Sequence, residues 1–200
     1  MRIMIAEDQT MVRQALVALL ELEPDIEVVA QAADGHEALA MTEKYRPDIA
    51  VLDIEMPGLS GIEVASRLRQ AGFGGRVVIV TTFDRPGYLR AAMAAGASGF
   101  LLKDAPAADL ATAIRQVAAG HRVVDPSLAA AALAQGDSPL TDRETQVLAA
   151  AASHDAIAQI AGRLHLSPGT VRNHLSAGIQ KLGARNRAEA VELAQQKGWL

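Results

Sequence analysis

Ile49-Ala50-Val51-Leu52-Asp53-Ile54-Glu55-Met56-Pro57-Gly58 decides the fold: four apolar residues in a row, then an acid, then a Pro-Gly turn. A short run that is apolar at every position, rather than at alternate ones, reads as a strand buried on both faces, and such strands sit in the middle of parallel sheets. Val77–Val80 repeats the pattern. Working outward, strands are predicted at Ile3–Ala6, Glu27–Ala32, Ile49–Leu52, Val77–Val80 and Gly99–Leu102. Helices are predicted at Thr10–Glu21, His36–Tyr45, Ile62–Gln70, Pro86–Ala95 and Pro106–Ala118, each opened or closed by a glycine, proline or capping residue. Five strand–helix units in strict alternation predict an α/β domain, a five-stranded doubly wound parallel sheet with helices on both faces.

Beyond Gly120 the alternation stops. An Ala-rich stretch, Ser127–Gln135, reads as a short helix, and Gly136-Asp137-Ser138-Pro139 reads as a linker. The last sixty or so residues show helical periodicity alone. The expected organisation is therefore a first domain over residues 1–119, a linker with a short helix over 120–138, and a small all-α domain over 139–200. No cysteine is present, which excludes disulfides, thiolate zinc sites and a cysteine nucleophile and points to a reducing cytoplasm. The first residues reach Glu7-Asp8 before a signal-peptide core could form, and no apolar run approaches the roughly 20 residues of a membrane span, so no membrane insertion is expected.

The net charge of −4 is unevenly spread. Residues 1–136 carry 12 basic and 17 acidic side chains, residues 137–200 carry 7 and 6, and the stretch from Ala156 to Ala188 contains no acid but holds Arg163, Arg172, Lys181, Arg185 and Arg187. Taken alone, such a stretch is a solvated helix face; combined with a DNA-binding pattern it can serve phosphates locally, because attraction is screened beyond about 10 Å.

In an open parallel sheet, ligands bind beyond the carboxyl ends of the strands. The chemically capable residues fall there: Glu7 and Asp8 after the first strand, Asp53 after the third, Thr81 after the fourth, Lys103 after the fifth. Three gathered carboxylates repel one another unless a cation neutralises them, and oxygen-only donors point to Mg²⁺. A carboxylate such as Asp53 can itself accept a phosphoryl group as an acyl phosphate, with Thr81 and Lys103 on the remaining oxygens. Singly, each residue has an ordinary structural reading as a turn acid, a surface lysine or a helix-start charge.

These residues resemble the receiver domains of bacterial two-component response regulators, which share the flavodoxin-like sheet. The resemblance rests on Ile5-Ala6-Glu7-Asp8, Leu52-Asp53-Ile54-Glu55-Met56-Pro57-Gly58, Val80-Thr81-Thr82 and Gly99-Phe100-Leu101-Leu102-Lys103. It implies Asp53 as phospho-acceptor, Glu7 and Asp8 as metal-binding acids, Glu55 as a metal ligand through its carbonyl, Thr81 and Lys103 as phosphoryl contacts, and Thr81 with Phe100 as the switch pair. The chain departs from the common pattern after the lysine, where Asp104-Ala105 intervene before Pro106. Glu55 and Phe83, two residues beyond Asp53 and Thr81, occupy positions that in such receivers face the phosphoryl group, with the bulk of Phe83 expected to slow its hydrolysis.

In the helical tail, Leu140-Thr141-Asp142-Arg143-Glu144 opens a helix, Ser167-Pro168-Gly169 reads as a turn, and a new helix is expected from Thr170. Val171, Leu175 and Ile179 form one stripe of that helix, leaving Arg172, Asn173 and Ser176 on the other side. Arginine pairs with guanine and asparagine with adenine in the major groove. The segment from Leu140 onward resembles the helix-turn-helix DNA-binding domain of the LuxR/FixJ/NarL class. That resemblance implies DNA contacts from Thr170, Arg172, Asn173 and Ser176, with Lys181 near phosphate. The chain departs from it at His154, Ala156-Ile157 and Ala158-Gln159, and Gly178 costs its helix roughly 1 kcal/mol relative to alanine. Within the class, Asp53-Ile54-Glu55-Met56-Pro57-Gly58, Thr81-Thr82-Phe83 with Arg85-Pro86-Gly87-Tyr88, and Lys197-Gly198-Trp199 look like regulators of membrane-lipid desaturation.

The expected function is a transcription factor, not an enzyme, switched by phosphorylation of Asp53 from a sensor histidine kinase and binding double-stranded DNA as a homodimer when phosphorylated. Two alternatives stay open. An aspartate-based phosphatase would want a second aspartate where Glu55 stands, and a DNA-binding protein with a vestigial receiver would lack part of the acid, threonine and lysine set.

Overall fold

The computed structural model describes residues 1–82, 86–104, 106–134, 138–153 and 155–200. The chain divides into two compact units, one built on the sheet and one on the C-terminal helices.

In the sheet unit, β1 (Arg2–Ala6), β2 (Glu27–Ala32), β3 (Ile49–Leu52), β4 (Arg76–Thr81), β5 (Gly99–Leu102) and β6 (Val123–Val124) form one parallel sheet in the order β2-β1-β3-β4-β5-β6. Its helices are α1 (Thr10–Glu21), α2 (Gly35–Tyr45), α3 (Gly61–Gln70), α4 (Pro86–Ala95) and α5 (Ala107–Ala118). The period of a strand sorts its side chains between two faces. Ile3, Ile5, Ile49, Val51, Val78 and Val80 pack with Leu20 of α1 and with Leu110, Ile114 and Val117 of α5, while the alternate residues Met4, Ala50, Leu52 and Ile79 are also fully buried. Burial of both faces is why β3 and β4 read as unbroken apolar runs.

The sheet has six strands, not the five expected. The sixth is a two-residue edge strand in which Val123 and Val124 pair with Gly99 and Phe100. Two residues carry no periodic signal, and they lie in the stretch read as linker. At its other end β4 reaches Thr81, one residue further than expected, so Thr81 is its last residue. Helix starts follow side-chain caps: Asp34 accepts from the backbone N–H of His36 and Glu37, and Ser60 with Glu63 forms a capping box at α3.

A short helix α6 (Pro126–Ala134) precedes the helical unit, which comprises α7 (Asp142–Ala151), α8 (Ile157–Leu164), α9 (Pro168–Leu182) and α10 (Arg187–Gln196). Its own core gathers Val147, Leu148, Ile160, Val171, Leu175, Ala190 and Ala194. The third of these helices begins at Pro168, two residues before the expected Thr170, because Ser167 caps it by accepting from the Thr170 N–H at 3.0 Å and proline is pre-shaped for a first helical position. Between α8 and α9, His165 takes a left-handed backbone (φ 52°) and closes the turn.

Candidate functional site

The strand order reverses between β1 and β3, since β2 lies on one side of β1 and β3 on the other. At such a switch point the connecting loops part and leave a crevice. Ala6 and Leu52 are paired in register and the Asp53 N–H donates to the Ala6 carbonyl at 2.9 Å, so the residues after each strand emerge side by side. Glu7, Asp8 and Asp53 each bring a carboxylate oxygen to within 4.8 Å of the others. Glu7 is fully buried, Asp53 is 5% exposed, and Asp8 is the most open of the three.

Lys103 closes the group. Its backbone N–H donates to the Thr81 carbonyl at 2.8 Å, which anchors it at the end of β5. Its Nζ lies 3.1 Å from Asp53 Oδ1 and also forms an ion pair with Glu7 Oε2. Thr81, at the end of β4, is fully buried beside this edge. Loss of solvation is the dominant influence on both buried acids and raises the carboxyl pKa of Glu7 and of Asp53, against the pull of the Lys103 ammonium.

One ammonium does not balance three carboxylates. Unit charges 4.8 Å apart repel by roughly 3 kcal/mol at an effective dielectric of about 20. The donor set is all oxygen, and the buried Glu7 Oε2 has as counter-ion only the Lys103 ammonium that it shares with Asp53. Both observations match a small hard divalent cation such as Mg²⁺.

The loop after β3 is shaped for close approach. A side chain at Gly61 would place its Cβ 2.0 Å from the Asp53 carbonyl oxygen, so only glycine lets α3 start directly beneath the acid. Sequence reading passed over Gly61 and took the helix to start at Ile62. A second missed residue is Arg13 of α1, whose Nη1 donates to the Glu7 carbonyl at 2.5 Å and holds the acidic loop from the helix side. Spacing carries no signal for it. Glu55 is exposed and Phe100 fully buried. Phe83 and His154 lie outside the described residues, and with Phe83 the expected shielding of the phosphoryl group.

In the helical unit, Arg172, Asn173 and Ser176 of α9 are exposed while Val171, Leu175 and Gly178 face the core. Thr170 is half-buried, its hydroxyl 2.8 Å from that of Ser167 at the helix cap. Ile179, expected on the core stripe, is half-buried and packs against the core that holds Val171 and Leu175. A Cβ at Gly178 would meet Leu148 Cδ1 at 2.8 Å, which explains a glycine in mid-helix: it lets α9 settle against α7. Lys181 is held by Glu144, with Nζ 2.7 Å from Oε2.

The matches to known proteins cover both units. Residues 3–115 match the response regulator receiver domain and residues 138–194 the bacterial regulatory proteins of the luxR family. Among curated relatives, YvfU, an uncharacterized transcriptional regulatory protein of Bacillus subtilis (strain 168), is 48% identical over 100% of this chain and 99% of its own length. The transcriptional regulatory protein DesR of the same organism is 44% identical over 98% of each. Among solved structures, the response regulator ChrA of a heme-sensing two-component system has a TM-score of 0.59 at 36% identity, covering 100% of this chain and 98% of that one. The RcsB–DNA complex shares the fold, with a TM-score of 0.70 at 23% identity over 98% of both chains.

Proposed function

Since this chain belongs to the response regulators that join a receiver domain to a LuxR-type DNA-binding domain, the NarL/FixJ type, and is thereby a transcriptional regulator rather than an enzyme, we propose that Asp53 is its phospho-acceptor and that the phosphoryl group switches its hold on DNA. The observation that carries this reading is the cluster of Glu7, Asp8 and Asp53 at the switch point, bridged by Lys103.

The donor is a sensor histidine kinase. An Asp53 carboxylate oxygen attacks phosphorus, a P–O bond forms, and the P–N bond to the kinase histidine breaks, leaving an acyl phosphate. Glu7, Asp8, Asp53 and the Glu55 carbonyl are the groups that would hold Mg²⁺, which supplies a positive charge to shield the approach of two anions. Lys103, already beside Asp53, neutralises charge developing on the transferred oxygens. Thr81 offers its hydroxyl to the same oxygens, and Phe100 of β5, which pairs with Ile79 two residues before Thr81, completes the switch pair. The receiver spans residues 1–119, a linker 120–138, and the DNA-binding domain 139–200, with β6 of the linker completing the sheet.

In the DNA-binding domain, Thr170, Arg172, Asn173 and Ser176 face the major groove. One such domain presents few cations, so the phosphorylated protein acts as a homodimer that adds the contacts of two half-sites. No helix among the described residues is long and apolar enough to cross a membrane, and the cytoplasm, where kinase and DNA meet, is its place of action.

The test is intact-mass analysis of the full chain with Mg²⁺ and a small acyl-phosphate donor. One phosphoryl group is expected on the wild type and none on Asp53→Asn. Equal labelling of both would overturn the assignment.

A further inference from the structure

The acid-free stretch from Ala156 to Ala188 can serve phosphates only with cations that are free to reach them, and the folded domain has engaged most of them. Arg163 Nη2 lies 3.0 Å from Asp155 Oδ2 and donates to the Ala150 carbonyl at 2.7 Å. Arg185 Nε lies 3.0 Å from Glu189 Oε2. Arg187 Nη1 donates to the Asp155 carbonyl at 2.9 Å and Nη2 to the Ala151 carbonyl. Lys181 is paired with Glu144. Among the described residues, Arg172 is the one arginine or lysine of the stretch without such a partner.

These engagements differ in strength. The Arg185 side chain is 86% exposed, and a pair that open is weak and breaks readily for a phosphate. Glu144 is only 5% exposed and is fixed from three sides. Its Oε2 accepts from the Thr141 N–H at 2.8 Å and from Lys181 Nζ at 2.7 Å, and its own N–H donates to Thr141 Oγ1 at 3.3 Å. Drawing Lys181 toward DNA would strand a buried carboxylate without its counter-ion, a larger penalty than one exposed phosphate contact returns.

We propose that Glu144 is a positioning residue of the DNA-binding surface: it pins the last turn of α9 to the first turn of α7 through Lys181 and thereby withholds the Lys181 ammonium from DNA phosphates. This rests on the DNA-binding reading above. The base-reading side chains near the start of α9 then dominate what the domain offers to DNA, and sequence-independent affinity is kept low.

The experiment measures binding of the full, phosphorylated chain to mixed-sequence duplex DNA over a range of salt, since each phosphate contact steepens the dependence of log affinity on log salt by about 0.9. The phosphate contact that the resemblance implies for Lys181 would make the slope of Lys181→Met shallower than that of the wild type; with Lys181 held by Glu144 the two slopes are expected to be the same. Glu144→Gln keeps the capping box, frees the lysine and should steepen the slope by about one contact, and the double variant should return to the wild-type slope. Thermal denaturation of the same four proteins should show the two sites coupled, with the double variant losing less than the two singles together. A Lys181→Met protein whose slope is shallower by one contact overturns the proposal while leaving DNA binding intact. A wild type that binds no duplex at any salt overturns the DNA-binding reading itself.

Discussion

At the carboxyl edge of the sheet, three carboxylates crowd one ammonium; in the helical unit, Arg163, Lys181 and Arg185 each lie within 3.0 Å of an acid. The first region leaves its electrostatics unresolved within the chain and the second resolves them. An acidic edge short of positive charge is completed only by a cation and a chemical partner, which is what a phosphoryl acceptor needs. A domain whose bases are already paired uses them to hold helices together, and its affinity for a polyanion comes from a few exposed side chains and from duplication.

A glycine in each region sharpens the contrast. Gly61 lies against backbone, with the Asp53 carbonyl where a Cβ would go, so Gly61→Ala must move either α3 or the acid loop. The expected cost is at least about 3 kcal/mol, with phosphorylation slowed or lost, measured by thermal denaturation and by labelling. Arg172→Ala removes the unpartnered arginine of α9 and should weaken binding to a selected operator by about 1–3 kcal/mol in a gel-shift titration, with the fold intact. Gly178 meets a side chain instead of backbone. Gly178→Ala returns about 1 kcal/mol of helix propensity and costs about 1–3 kcal/mol in crowding the buried Leu148, so a net loss of about 1 kcal/mol is expected in the helical unit. A more stable variant would show that Leu148 has room to yield.

The smallest effect tests the unresolved charge itself. Burial raises the pKa of Asp53 above its ordinary 3.8 and raises that of Glu7 above its ordinary 4.5. The folded protein then holds protons that the unfolded chain has released, so these groups favour folding below their ordinary values. That benefit fades as pH rises through the raised ones. Without divalent metal, Asp53→Asn should therefore melt above the wild type at neutral pH, and the gap should close as pH falls toward 4. Added Mg²⁺ should stabilise the wild type more than the variant. A variant that melts below the wild type at neutral pH without metal would show that Lys103 already balances the site.

How much of this was legible in the sequence follows the same division. β3 and β4 announced themselves because burial on both faces demands an apolar residue at every position, and Glu7, Asp8, Asp53, Thr81 and Lys103 fell at strand ends that their elements fixed. β6 went unseen because two residues on a sheet edge have no period. Gly61 and Arg13 went unseen because their roles are contacts with backbone carbonyls, which no residue spacing encodes. In the helical unit the exposed side of α9 was readable from the apolar stripe that opposes it. The engagement of Lys181 was not, since its partner Glu144 is 37 residues away and meets it only when α7 and α9 pack.

The most direct test of the account is to measure, on one preparation of the full chain with Mg²⁺, operator affinity and mass in solution before and after treatment with an acyl-phosphate donor. The expected result is a dimer and a higher operator affinity after phosphorylation, both absent from Asp53→Asn. Equal affinity and equal mass for the two forms would contradict it.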